Sequence, residues 1–238
     1  MPHTPIVLAG GAAVISAVFA AMVFGQLVER RREFYLVPWG VGLAIFAFVF
    51  AFEFTTLSRI AAPGEGLSRT YLAMYPILVA VLGLGTVYLA ADRRWGHGFL
   101  VYVLVSAGTL LYFIATAPVD SVPLWLSWGL AWVLGIAAMP DSVGLLSLLL
   151  LSSGAVALVG GALYSWYKTR WGYNLLIAAG VGLMVAAGFL ARSIPWDYRL
   201  IVFYAVLILG LVVMSDGFLR SRRIAQAARA QTVTAPVE

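Results

Sequence analysis

Eight uninterrupted apolar stretches constrain this chain more than any other feature: about 5–27, 35–57, 70–91, 98–118, 124–139, 143–165, 172–191 and 200–218. A helix needs about 20 apolar residues to cross the hydrocarbon of a bilayer, and seven of the eight reach or nearly reach that length. The runs are continuous rather than alternating, which excludes a transmembrane β-barrel. Composition agrees: the 238 residues are 63% hydrophobic and 11% charged, where a soluble domain carries about 25% charged residues. A water-soluble globule of this size leaves too much surface in water to hide that much apolar area. The expected fold is all-α, a polytopic transmembrane helix bundle. Residues 1–219 form its single membrane domain, and 220–238 form a short, basic, partly disordered cytoplasmic tail.

The stretch 124–139 is short and bracketed by Pro123 and Pro140, so hydropathy alone leaves seven or eight crossings open. Basic residues collect on the cytoplasmic side of a membrane protein, and this decides between the two counts. If 124–139 does not cross, Arg30, Arg31, Arg32, Arg93, Arg94, Lys168, Arg170, Arg220, Arg222, Arg223 and Arg229 share the inner side, against Arg59, Arg69, Arg192 and Arg199 outside, a split of 11 to 4. If it crosses, the split becomes 7 to 8 and carries no orientation signal. The expectation is seven spans, N-terminus outside and C-terminus cytoplasmic. Met1 to Pro5 carries no Lys or Arg, so it lacks the basic region of a cleavable signal peptide. The expected location is the plasma membrane of a bacterial or archaeal cell.

The residue inventory excludes much chemistry. With no cysteine there are no thiolate nucleophiles, iron–sulfur clusters or disulfides. The two histidines, His3 and His97, lie outside the apolar runs, so a bis-histidine haem or a histidine-rich zinc site is not expected. No metal site and no cofactor is expected. The net charge of +5 reflects orientation, and the short basic clusters flank apolar spans, so nucleic acid is not an expected partner. No paired-carboxylate motif and no histidine placed to activate a serine favours an enzyme. The bilayer is the expected partner; a small-molecule or lipid ligand and an oligomeric or membrane-complex partner are compatible with the chain.

Ionisable residues inside a span are the strongest pointers to function, because a charge near the bilayer centre costs at least about 2.5–3.5 kcal/mol. Glu53, in Phe-Ala-Phe-Glu-Phe, lies roughly 10 Å from the middle of the second span toward the outer face at 1.5 Å per residue. Flanked by Phe52 and Phe54, it needs a cation or a proton. The expected partners are Arg192 or Arg69, with Trp125, Trp128 and Trp132, which share one helical face, closing over this outer polar site. These three tryptophans alternatively form an interfacial anchor. Tyr75, Ser106, Thr109, Tyr112, Ser152, Ser153 and Tyr204 are candidate cavity-lining residues, or else glue between helices. Asp216 and Arg220 have the spacing of a helical ion pair, and Pro76 frees a carbonyl inside the third span.

Two small-residue stripes, Ser153/Ala157/Gly161 and Ala178/Gly182/Ala186, predict close packing of the fifth span on the sixth. The tetrad Gly-Val-Gly-Leu at 40–43 and again at 180–183 hints at a parallel repeat in which spans one to three match five to seven, one known carrier plan. Under that repeat Glu53 would correspond to Ser193. Seven spans, with the last ending Gly-Phe-Leu-Arg-Ser-Arg, make the plan similar to that of the microbial rhodopsins. Their retinal needs a lysine in the last helix, and the single lysine here, Lys168, falls in a loop, so the resemblance stops at topology. The three-plus-one-plus-three sugar carriers are likewise similar in plan, without their proline–glutamine motif. The expected function is a carrier or pore for a small or lipophilic molecule; a sensor, assembly or lipid-binding subunit is the alternative, and an intramembrane lipid enzyme a lesser one.

Overall fold

In hydrocarbon a backbone must satisfy its own hydrogen bonds, so apolar runs of this length become helices. The structure, a computed structural model, describes residues 3–29, 33–58, 60, 65–117 and 140–234. Those residues hold seven helices and no strand: α1 Thr4–Glu29, α2 Leu36–Leu57, α3 Glu65–Ala90, α4 Arg93–Thr116, α5 Asp141–Thr169, α6 Gly172–Ser193 and α7 Trp196–Thr234. Six of them are long and apolar enough to cross a membrane, and α6 adds the apolar stretch Gly172–Gly188. The chain is an integral membrane protein with the expected polytopic helix bundle. The stretch 124–139, with Trp125, Trp128 and Trp132, lies outside the described residues.

Neighbouring helices pack in the order α1, α2, α3, α5, α6, α7 and back to α1, a closed ring, with α4 outside it against α3 and α5. Contacts along the helices give their directions. Gly154 of α5 meets Val79 and Ala80 of α3, and Gly161 farther along α5 meets Thr86 and Ala90 farther along α3, so α3 and α5 run parallel. The end of α4 lies beside Arg69, near the start of α3, while its beginning lies beside Tyr88, near the end of α3. Ala117 and Asp141 therefore sit at the same end of the bundle. A seven-crossing plan has α3 and α5 parallel in this way.

Around the ring the directions repeat after three helices, α1–α2–α3 and then α5–α6–α7, which is the three-plus-one-plus-three order. The glycine tetrads do not share its register. Gly40 meets Phe24 of α1 and Gly42 meets Leu82 of α3, whereas Gly180 meets α7 and a side chain at Gly182 would meet nothing within 4 Å. Gly42 and Gly180 thus press on the third helix of their triplets. This shifts the match by two residues and sets Glu53 against the fully buried Ala191 rather than Ser193.

Two crossings bring backbone onto backbone at paired glycines. A Cβ on Gly83 would fall 2.7 Å from the Gly154 carbonyl oxygen, and one on Gly180 would fall 2.6 Å from that of Gly210. Without a hydrophobic drive between helices, dispersion and close backbone approach hold such pairs. The fifth and sixth spans are neighbours as expected, but the expectation that their small-residue stripes bring them together is corrected. Ala157 and Gly161 of the α5 stripe meet α3, Gly180 rather than the expected stripe brings α6 onto α7, and a side chain at Gly182 would meet nothing within 4 Å.

Aromatic side chains mark the end of the bundle opposite Glu53, where Phe34, Trp95, Tyr164, Tyr167 and Trp171 are exposed, the pattern of residues at a membrane–water boundary. There the Arg93 guanidinium lies 4.9 Å from the centre of the Phe34 ring. Arg170, in the left-handed region at φ 58°, ends α5 and lies over Trp166 and Tyr167. Asp216 and Arg220 form the expected ion pair at 2.8 Å. From there α7 continues as helix to Thr234, through an alanine-rich stretch that favours helix.

Candidate functional site

Glu53 is 5% exposed and turns into the axis of the ring from α2. Its Oε1 accepts a hydrogen bond from the hydroxyl of Tyr71 on α3. Its Oε2 accepts one from the hydroxyl of Tyr204 on α7 at 2.6 Å. Tyr75, one turn beyond Tyr71 on the same helix, is buried as well. The ring of Phe52 stacks on Tyr71 at 4.7 Å, and that of Phe50 meets Tyr204 edge-on at 6.2 Å. A single carboxyl group thus ties three helices within an aromatic shell.

The tie has a particular place in the architecture. α2 and α7 are not ring neighbours; they meet across the axis through long side chains. At the Glu53 end the meeting is Glu53 and Phe50 with Tyr204, and at the opposite end Trp39 stacks on Phe218 at 5.8 Å, with Phe19 of α1 edge-on to Phe218. Phe46, Phe50, Leu207 and Leu211 fill the length between, all buried. The axis is a packed column with one polar node near one end.

Of the two arginines expected beside Glu53, Arg69 is corrected: among the described residues the partners of the carboxyl are hydroxyls. Arg69 instead donates from Nη1 to the carbonyls of Ile114, Ala115 (3.1 Å) and Ala117 (3.0 Å), capping the C-terminal carbonyls of α4, which have no partner inside their own helix. The side chain of Arg192 lies outside the described residues. Tyr71 is the member of the site that the sequence reasoning missed. It sits at the edge of the predicted third span, and its four-residue spacing to Tyr75 places both on one face, but a search for charges passes over a phenol.

The candidate lining residues divide. Tyr204 bonds Glu53, and Tyr75 is buried one turn from Tyr71. Tyr102 reaches from α4 to Ser153 Oγ (3.2 Å) and the Leu149 carbonyl (3.2 Å), so Ser153 is glue between α4 and α5. Thr109 and Ser152 donate to carbonyls of their own helices. Ser106 is half-buried, and Tyr112, 65% exposed, faces outward. These residues are not brought to the axis with Glu53. Among the described residues, no three His, Cys, Asp or Glu side chains gather as a metal site would need. Comparison with known proteins finds no family, no curated protein and no solved structure that this chain matches.

Proposed function

We propose that this protein is a membrane carrier for a small lipophilic molecule, with Glu53, Tyr71 and Tyr204 as its working site and the Glu53 end facing outward. The observation that supports the reading is the carboxyl of α2 bonded to α7 across the axis of a six-helix ring. A carboxyl in hydrocarbon costs free energy, and a purely structural helix contact needs no charge-bearing group at that place. Its position where one triplet of helices meets the other is where carriers of repeated plan bind cargo and part their halves. A carrier fits better than an open pore, because Phe50, Tyr204, Leu207 and Leu211 close the axis. The exposed apolar face of α4, with Val101, Leu104, Val105 and Leu111, favours as a second reading a membrane component that docks a partner helix there.

The test needs no known cargo. The chain has no cysteine, so Leu207→Cys places a single thiol on the axis. In oriented vesicles a carrier exposes that thiol to membrane-impermeant reagents from each side in turn. A non-transporting component leaves it unlabelled from both sides.

A further inference from the structure

We propose that the Glu53 node binds a small hydrophobic organic cation, such as a protonated amine or a quaternary onium group. The inference rests on the carrier reading above, which it deepens by naming the class of cargo.

The charge comes first. Glu53 is the one buried carboxyl among the described residues, and its partners there are the hydroxyls of Tyr71 and Tyr204, both neutral donors. No cationic side chain of the described residues neutralises it. An anion would be repelled, and a neutral cargo would gain from the carboxyl only what any hydrogen-bonding group offers. A cation gains a full opposite charge in a medium of low dielectric, where such attraction is strongest.

The shell comes second. Tyr71 and Tyr204 sit on the carboxyl and Phe52 and Phe50 pack against their rings, and aromatic faces attract cations through their electron-rich centres, most strongly when desolvated. An organic cation matches both features, its charge on the carboxylate and its apolar groups on the rings. A divalent metal ion matches neither. It needs six or more hard oxygen ligands for calcium, or near-octahedral oxygens for magnesium, and this site offers one carboxylate and phenols. One turn farther along the same face of α2, Thr56 Oγ1 is buried with no hydrogen-bond partner among the described residues, a spare acceptor for an ammonium N–H.

The site is closed in this structure, with each carboxylate oxygen already held by a tyrosine. A cation would take the place of those hydroxyl contacts on the carboxylate, releasing α7 from α2. Binding and opening of the axis are then one event, so a ligand that satisfies Glu53 also breaks the tie that holds the Glu53 end together.

The test is equilibrium binding of tetraphenylphosphonium, whose charge does not depend on pH, to the full chain in detergent, with tetraphenylborate as the anion of matched shape. Saturable binding of the cation is expected, weakened at least about tenfold by Glu53→Gln and tightened several-fold by Tyr71→Phe or Tyr204→Phe, each of which removes a hydroxyl that the cation must otherwise displace, while the anion shows no Glu53-dependent binding. Equal affinity in the wild type and Glu53→Gln overturns the proposal, as does absence of saturable cation binding by the folded wild type. Should Glu53→Gln fail to fold, the two tyrosine variants decide: wild-type affinity in both overturns it. Cation binding without two-sided labelling of Leu207→Cys removes the carrier reading and keeps the cation site. Two-sided labelling without Glu53-dependent binding does the reverse.

Discussion

At the scale of single residues, the energetics turn on a carboxyl met by two phenols rather than by a guanidinium. Removing either hydroxyl leaves a carboxyl oxygen buried without its donor, which generally costs about 1–3 kcal/mol, although hydrogen bonds within membrane proteins average only about 0.6 kcal/mol by mutant cycles. Tyr204→Phe and Glu53→Gln should each lower the thermal stability of the detergent-solubilised protein. Their effects should be non-additive, with a coupling of about 0.5–2 kcal/mol, as for groups in direct contact. A cycle with no coupling would show that the Tyr204–Glu53 bond contributes nothing to the fold. That Glu53 matters was legible from the sequence, because the cost of a carboxyl among phenylalanines follows from residue type and depth. Its partners were not, because a tyrosine bears no charge to count, and its reach to Glu53 depends on how three helices distant in sequence are turned about their axes.

At the scale of helices, closeness is set by a few glycines, and the choice of neighbour matters more than the stripe itself. Gly154→Leu and Gly180→Leu must each push a side chain into a facing carbonyl, while Gly182→Leu meets open space. Overpacking of this kind typically costs about 1–3 kcal/mol. The first two variants should therefore melt measurably lower in detergent and the third should melt like the wild type; a destabilised Gly182→Leu would put α6 in a different rotation. Arg69→Met should free the carbonyls of Ile114, Ala115 and Ala117, and faster amide hydrogen exchange in the last turn of α4 would report it. Unchanged exchange there would mean that this cap does not hold α4. The small-residue stripes of α5 and α6 were visible in the sequence as surfaces for close approach. They could not say which helix approaches, since any backbone fits a glycine face equally well: α6 is a neighbour of α5, but the glycines of α5 face α3.

At the scale of the whole molecule, helix direction carries the argument. The sequence could supply parity through its 11 to 4 charge split, and the parallel run of α3 and α5 agrees with it through an unrelated observation, the Gly83–Gly154 and Thr86–Gly161 contacts. Reporter fusions after Trp95 and after Arg220 should both behave as cytoplasmic, and an extracytoplasmic result for Arg220 alone would require an odd number of crossings between α4 and α5. The closed order of the ring lay beyond sequence reasoning, because apolar helices in lipid show no strong outward face by which to rank their neighbours. The central claim is that the Glu53–Tyr204 tie closes one end of this ring and must break for the protein to work. In a chain without cysteine, spin labels at Leu57→Cys and Tyr198→Cys measure the separation of α2 and α7 at that end. The account predicts a short distance in the resting wild type and a second, longer population that dominates once Glu53→Gln removes the carboxylate; a single unchanged distance in both proteins would contradict it.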